Sequence, residues 1–414
     1  MMENQHIITL ANGIRIVHMQ VKHSEIVHCG FMINVGSRDE NADNNGVAHF
    51  IEHTVFKGTS KRKSHHILRR IENVGGELNA YTTREKTCYY ASSLKQYAAR
   101  SVDLLADITF NSIFPEKEIG KEKKVILEEI DMYEDSPDES IYDEFYTYIF
   151  EGHPLGYNIL GDKNTVNALN RVKILDFIKA HYTADKLLLT IVGDLSKAEA
   201  ENLGKRFVEK MNIPLADDSK RAVPIMQPRF AISKEKDFAQ SHVIIGSRAY
   251  SSHDSRRFGL SLINNILGAG GMSARLNMEV REKNALVYNI GTHYSTYQDA
   301  GVFTIYFGAD DKNVKRCMDI VYRELKKMRD IKLTDKQLKQ AKIQLVGQMA
   351  QIVENNSMHA QHQARSVLDY GEIIGFKDYI KEIEKISASE LMEISNEVFA
   401  PERVSSLVYE QEKS

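Results

Sequence analysis

The sequence predicts an α+β protein of two homologous domains, each a mostly antiparallel sheet with helices on one face, and three observations carry that reading. A chain of 414 residues exceeds one ordinary core and sets a prior of two domains of about 200 residues. A weak internal repeat aligns HYTADKLLLTIVG, His181 to Gly193, with VFAPERVSSLVYE, Val398 to Glu410, at an offset of 217 residues. Each copy is a helix end, a short turn with an acidic and a basic residue, and an apolar strand; the preceding helices agree, with Ile174, Leu175 and Phe177 opposite Leu391, Met392 and Ile394. Finally, strand-like runs such as IVHCGFMINV and SHVIIGS are followed by segments of helical period. The expected boundaries are 1–213 for the first domain, 214–224 for a polar, Pro-punctuated linker and 225–414 for the second.

The start of the chain, MMENQHIITLANGIRIVHM, reads as a β-hairpin because Asn12-Gly13 joins two alternating apolar runs. It has neither a basic start with an apolar core nor an Arg-rich amphipathic pattern, so no secretory or mitochondrial presequence is expected. The run GVAHFIEHTVFKGT then carries His49, Glu52 and His53 as His-x-x-Glu-His. On a helix, residues four apart share a face about 6 Å apart, so two imidazoles at that spacing can hold one metal ion. Glu52 borders the same face, where a carboxylate can take a proton from water at the metal. Val47, Phe50, Ile51 and Val55 make the segment apolar, and buried His and Glu side chains require a partner. The pattern is the inverted form of a zinc-peptidase motif.

GGELNAYTTREKTCYY follows as a Gly-introduced β-hairpin, and KEIGKEKKVILEEIDMYEDSPDES as a helix with Ile119, Val125, Ile126 and Ile130 at helical intervals. A zinc site needs a third protein ligand and an open fourth position. Glu122 and Glu129, seven apart, share a face of that helix, so one can bind metal while the other orients a ligand from behind. Ser136, Pro137 and Asp138 mark the start of the next helix. LLLTIVG, Leu187 to Gly193, is a buried strand, and no apolar run is long enough to cross a bilayer. In the second half, GLSLINNILGAGGMSARL stands where the motif stood in the first but has no His or acidic residue; Gly268, Gly270 and Gly271 point to a flexible or tight loop. His359 and His362 read as a solvated helix face and receive no functional assignment.

Hydrophobic content of 42% and charged content of 27% describe a globular protein, and a net charge of −3 gives no overall attraction to nucleic acid or an anionic membrane. Cys29, Cys88 and Cys317 are isolated and odd in number, which argues against a disulfide framework and for a reducing compartment, here the cytoplasm.

On these residues the chain resembles the family of pitrilysin, insulin-degrading enzyme and mitochondrial processing peptidase, in its short two-domain, processing-peptidase-like branch, over nearly its whole length. The resemblance implies one zinc ion per chain held by His49, His53 and Glu129, the last 76 residues beyond His53, with Glu122 supporting the ligands and Glu52 as the base. It assigns Arg281 and Tyr288, in RLNMEVREKNALVYNI, to the substrate carbonyl and the developing oxyanion. Asn79, Ala80 and Tyr81 correspond to an edge strand on which the substrate backbone is laid, a logical use of unpaired N–H and C=O groups. Phe56 corresponds to a wall of the pocket beyond the cut, and Glu139 and Asp143 to acids that engage an Arg near it. The family also implies a clam shell closing on a peptide and, with two units rather than four in one chain, a homodimer. The expected activity is that of a zinc metalloendopeptidase acting on extended peptides or unfolded segments, with a preference for Arg near the cut. Two rivals accompany it: a scavenging oligopeptidase, and a non-catalytic structural or partner subunit of the same fold, whose chains lose part of the motif that is complete here.

Overall fold

The computed structural model describes residues 5–213 and 220–412. The first strands, β1 (Gln5–Thr9) and β2 (Arg15–Gln20), form an antiparallel hairpin around Asn12-Gly13, and β3 (Ile26–Ile33) follows. Helices α1 (Val47–Thr54) and α2 (Ser64–Glu72) lead into the hairpin β4 (Glu77–Thr82) and β5 (Thr87–Leu94). Then come α3 (Ala98–Asn111), α4 (Glu116–Glu134), α5 (Pro137–Ile149), α6 (Lys163–Ala168), α7 (Arg171–His181), β6 (Leu187–Gly193) and α8 (Lys197–Phe207). The later part holds β7 (Ala231–Lys236), β8 (Ser241–Ala249), α9 (Arg257–Asn264), β9 (Val287–Thr296) and β10 (Gly301–Ala309). It closes with α10 (Asp311–Asp330), α11 (Asp335–Glu354), α12 (Asn356–Tyr370), α13 (Phe376–Lys385), α14 (Ala388–Val398) and β11 (Ser405–Gln411).

Two sheets result, ordered β1-β2-β6-β3-β5-β4 and β7-β11-β8-β10-β9. Each is antiparallel except for one parallel pair, β2 with β6 and β7 with β11. The two parallel pairs occupy corresponding places, as the internal repeat requires. Among the described residues no helix is long and apolar enough to cross a membrane.

The chain divides into two compact units whose borders are not those of the sequence halves. One comprises Met1–Asp131, Tyr157–Arg221 and Ile352–Gly375; the other comprises Met132–Gly156, Ala222–Gln351 and Phe376–Ser414. The expected linker of 214–224 lies partly outside the described residues, at 214–219. Arg221, also within the expected linker, belongs to the first unit, where its guanidinium donates to both Asp39 carboxylate oxygens at 2.9 and 2.8 Å and to the Asn34 carbonyl at 2.9 Å.

Each unit thus takes a helix from the opposite half of the sequence, and sheet pleating gives the reason. Adjacent strand residues point to opposite faces. On β3, Phe31 meets Phe110 of α3 edge-on at 5.4 Å, while Met32 faces the other way and joins Val17, Cys88 and Leu188 under Ala364 and Val367 of α12. In the second unit, Ile141, Phe145, Tyr146 and Ile149 of α5 cover Ile244, Val302, Leu407 and Tyr409. The helices expected on one face of each sheet are therefore joined by one on the other face. All seven residues of β6 are buried, as a strand covered on both sides must be.

Candidate metal centre

Helix α1 is two turns long and its entry is tightly built. Gly46 precedes it at φ 91°, and a Cβ there would lie 2.6 Å from the Leu160 carbonyl oxygen, so both conformation and space call for glycine. The apolar residues Val47, Ala48, Phe50 and Ile51 are buried, which fixes the rotation of the helix so that His49 and His53 face Glu129 of α4 and Glu52 lies by Thr82 of β4. The two imidazole centroids are 4.6 Å apart.

From α4, Glu129 Oε2 lies 3.5 Å from His53 Nε2 and 3.9 Å from His49 Nε2. Among the described residues, His49, His53 and Glu129 are the group of histidine, cysteine and carboxylate side chains placed to hold a metal, with one ligand atom from each within 4.8 Å of the others. Glu122, two turns earlier and buried, sets Oε2 3.4 Å from His53 Nδ1, while its Oε1 is 2.7 Å from Lys57 Nζ.

The side chains of the cluster perturb one another's ionisation. Burial, and then the neighbouring His53, push His49 down to about 3, so it is a neutral imidazole, and its Nδ1 is buried without a hydrogen-bond partner. Burial opposes protonation of His53, but the Glu122 contact and the charges of Glu129 and Glu52 outweigh it and raise its pKa. Burial raises Glu52 against the Thr82 hydrogen bond and the charge of His53, with Glu129 adding to the rise, and burial also raises Glu129 against the pull of His53. Two carboxylates and two imidazoles thus meet in one half-buried cluster and shift one another's ionisation. A zinc ion fits the donor set: tetrahedral ligands at about 2.0–2.1 Å stand roughly 3.3 Å from one another, near the separations found here.

The remaining predicted residues fall into separate groups. Asn79, Ala80 and Tyr81 lie on β4, an edge strand of the first sheet, which among the described residues pairs only with β5 and packs against α1. The Ala80 N–H donates to Asn79 Oδ1 at 2.8 Å. Phe56 sits half-buried in the short turn after α1. Arg281 and Tyr288 belong to the second unit: Arg281 is in a π-helical turn, Tyr288 is the second residue of the edge strand β9, and the guanidinium carbon is 5.9 Å from the Tyr288 ring centroid. Tyr288 is 90% exposed. Glu139 and Asp143 are one turn apart on α5, in the second unit. His359 and His362 are on α12, where His359 Nδ1 faces the Val353 carbonyl at 3.2 Å. Sequence reasoning missed Lys57, although it stands four residues after His53 and so within reach of the same face. It also missed Glu40, which has no periodic relation to the motif.

A two-sheet α+β protein in which two histidines and one carboxylate, partly buried, are placed to hold a metal is the class that the fold and site define. Residues 15–163 match the family model described as insulinase, peptidase family M16, and residues 168–345 match the one described as peptidase M16 inactive domain. The chain belongs to this insulinase family of peptidases. It is 30% identical to an uncharacterized zinc protease of Bacillus subtilis, YmxG, over 97% of each chain. It is 33% identical to an uncharacterized zinc protease of Rickettsia felis, over 99% of this chain and 98% of that one. A solved structure of a protease from Helicobacter pylori superimposes with a TM-score of 0.89 over 98% of this chain and 99% of its own, at 22% identity, which shows the shared fold.

Proposed function

We propose that this chain is a zinc endopeptidase that cleaves peptides or unfolded segments bound in extended form. The observation that carries the reading is the convergence of His49, His53 and Glu129 with Glu52 beside them on α1. One zinc ion held by those three side chains would act as a Lewis acid toward the scissile carbonyl and make water more acidic. Glu52, whose carboxylate burial makes more basic, takes the proton of the attacking water and returns it to the leaving amine. Glu122, tethered by Lys57, orients His53.

The substrate backbone adds to the free edge of β4 along Asn79, Ala80 and Tyr81, where exchange of the Asn79 side chain for a peptide carbonyl satisfies the Ala80 N–H. Phe56 walls the pocket beyond the cut. Arg281 and Tyr288 donate to the carbonyl oxygen as it gains charge, which assigns the zinc centre to the half 1–213 and the oxyanion donors to the half 225–414. The active form is a homodimer. Glu139 and Asp143 favour an Arg near the cut, an interaction of paired carboxylates with a planar guanidinium. In the test, Glu52→Gln retains close to one zinc per chain and loses peptide cleavage. Cleavage by that variant, with contaminating protease excluded, overturns the assignment.

A further inference from the structure

Helix α1 is too short to hold itself in place, since an isolated two-turn helix is marginal in water. Its N-terminus also lacks the usual device: Gly46 has no side chain with which to cap it. The orphan donors are satisfied from a distance. Glu40 Oε2 accepts from the Gly46 N–H at 2.7 Å and from Asn45 Nδ2 at 2.8 Å, and Oε1 accepts from the Ala48 N–H at 2.8 Å. Asn45 Nδ2 is braced in turn by the Asn158 carbonyl at 2.9 Å. Glu40 is 4% exposed, so these three donors are its main counterbalance for leaving water.

The anchorage is also aimed. Ala48 immediately precedes His49, so Glu40 grips the backbone on both sides of Val47, one residue short of the first proposed ligand. Glu40 is itself fixed by a buried frame: its N–H bonds the Ser37 carbonyl at 3.2 Å, and its neighbour Asp39 is locked by Arg221 and by the Gly36 N–H at 2.9 Å. A shift of α1 by a fraction of an ångström moves His49 and His53 together relative to Glu129, which stands on another helix.

We propose that Glu40 is a positioning residue of the metal centre: by clasping the Gly46 and Ala48 N–H groups it sets the register of α1, so that His49 and His53 converge on Glu129. The inference rests on the zinc-peptidase reading of the site. It adds that metal retention depends on a carboxylate that touches neither metal nor substrate.

Two variants separate the contributions. Glu40→Gln keeps the length but puts an amide N–H₂ against a backbone N–H, and Glu40→Asp keeps the carboxyl group but withdraws it by one methylene. The full-length, zinc-loaded proteins are mixed with a chelator and zinc release is followed; kcat and KM are measured separately, and amide exchange of residues 46–50 is recorded in the metal-free proteins. Zinc release from Glu40→Gln is expected to be at least about tenfold faster than from the parent, as for other groups that orient metal ligands. Its kcat falls with KM little changed, exchange at 46–50 quickens, and Glu40→Asp recovers part of each effect. Val367→Ala, a core change on α12 in the same unit, lowers the melting temperature and leaves zinc release unchanged, which distinguishes positioning from loss of stability. If Glu40→Gln folds and matches the parent in zinc release and exchange, the proposal is overturned. If Glu40→Gln does not fold, Glu40→Asp decides by the same measurements. A parent protein that binds no zinc overturns the proposed function instead.

Discussion

Lys57 Nζ lies 2.7 Å from Glu122 Oε1, and the other oxygen of that carboxylate faces His53 Nδ1 at 3.4 Å. A surface cation thus steers a buried acid, and the acid steers an imidazole whose other nitrogen faces Glu129. Replacing Lys57 by Met leaves every proposed ligand in place and releases only the far end of this chain of contacts. Zinc affinity, measured by competition with a chelator, is expected to drop about tenfold. An unchanged affinity would show that Glu122 orients His53 unaided.

Tyr288 is almost fully exposed at the start of an edge strand, with the Arg281 guanidinium near its ring. A tyrosine that donates to an oxygen only as charge develops contributes to kcat and not to ground-state binding. Tyr288→Phe should therefore lower kcat on a peptide by roughly 10²–10³-fold, the scale of one lost oxyanion donor, with KM nearly constant. A rise in KM at constant kcat would assign Tyr288 to substrate binding.

Asp39 and Arg221 form a largely buried pair that holds this end of the segment Tyr157–Arg221 to the rest of the first unit. Burial raises the Asp39 pKa, but the Arg221 hydrogen bond and charge and the Gly36 N–H outweigh it, leaving the pKa below 3.8. Its contribution to stability is present above the unfolded value of 3.8 and is lost as pH falls through the lower folded value. Arg221→Met leaves a buried carboxylate without its cation and should cost about 3–5 kcal/mol in urea unfolding at neutral pH. Burial then raises the Asp39 pKa instead, so the deficit should narrow as the solution is acidified through that raised value. A deficit independent of pH would mean that the guanidinium acts through packing alone.

Gly46→Ala combines a left-handed backbone with a Cβ 2.6 Å from the Leu160 carbonyl oxygen. The strained conformation alone costs more than about 1 kcal/mol, and the clash pushes α1 away from its seat. Zinc content after dialysis should fall together with thermal stability. Full zinc occupancy with parental stability would show that the loop at Leu160-Gly161 yields freely.

Local signals were legible wherever the cause was local. Asn12-Gly13 does join β1 to β2, Pro137 is the first residue of α5, and LLLTIVG is a fully buried strand. The grouping of His49 and His53 follows from helical spacing, and that of Glu129 with them from the family resemblance. The exchange of 132–156 and 352–375 between units was not legible, because periodicity announces a helix without naming the sheet it will cover. On α12 the residues that meet the sheet include Ala360, Ala364 and Val367, too small to advertise a core face among Gln and His. Arg221 reads as one more charge in a polar linker, because its partner Asp39 is 182 residues away. Glu40 is hidden for the same reason: a buried acid that serves backbone donors leaves no pattern in side-chain polarity.

The exchanged helices impose an order of events on synthesis. The first sheet has all six of its strands once β6 has left the ribosome, yet Val17, Met32, Cys88 and Leu188 stay bare until α12 arrives, more than 160 residues later. At about 5–20 residues per second the nascent sheet waits roughly 10–30 s with one oily side open. During that interval it is a client for chaperones, and a chain truncated before α12 would display the same sticky surface permanently.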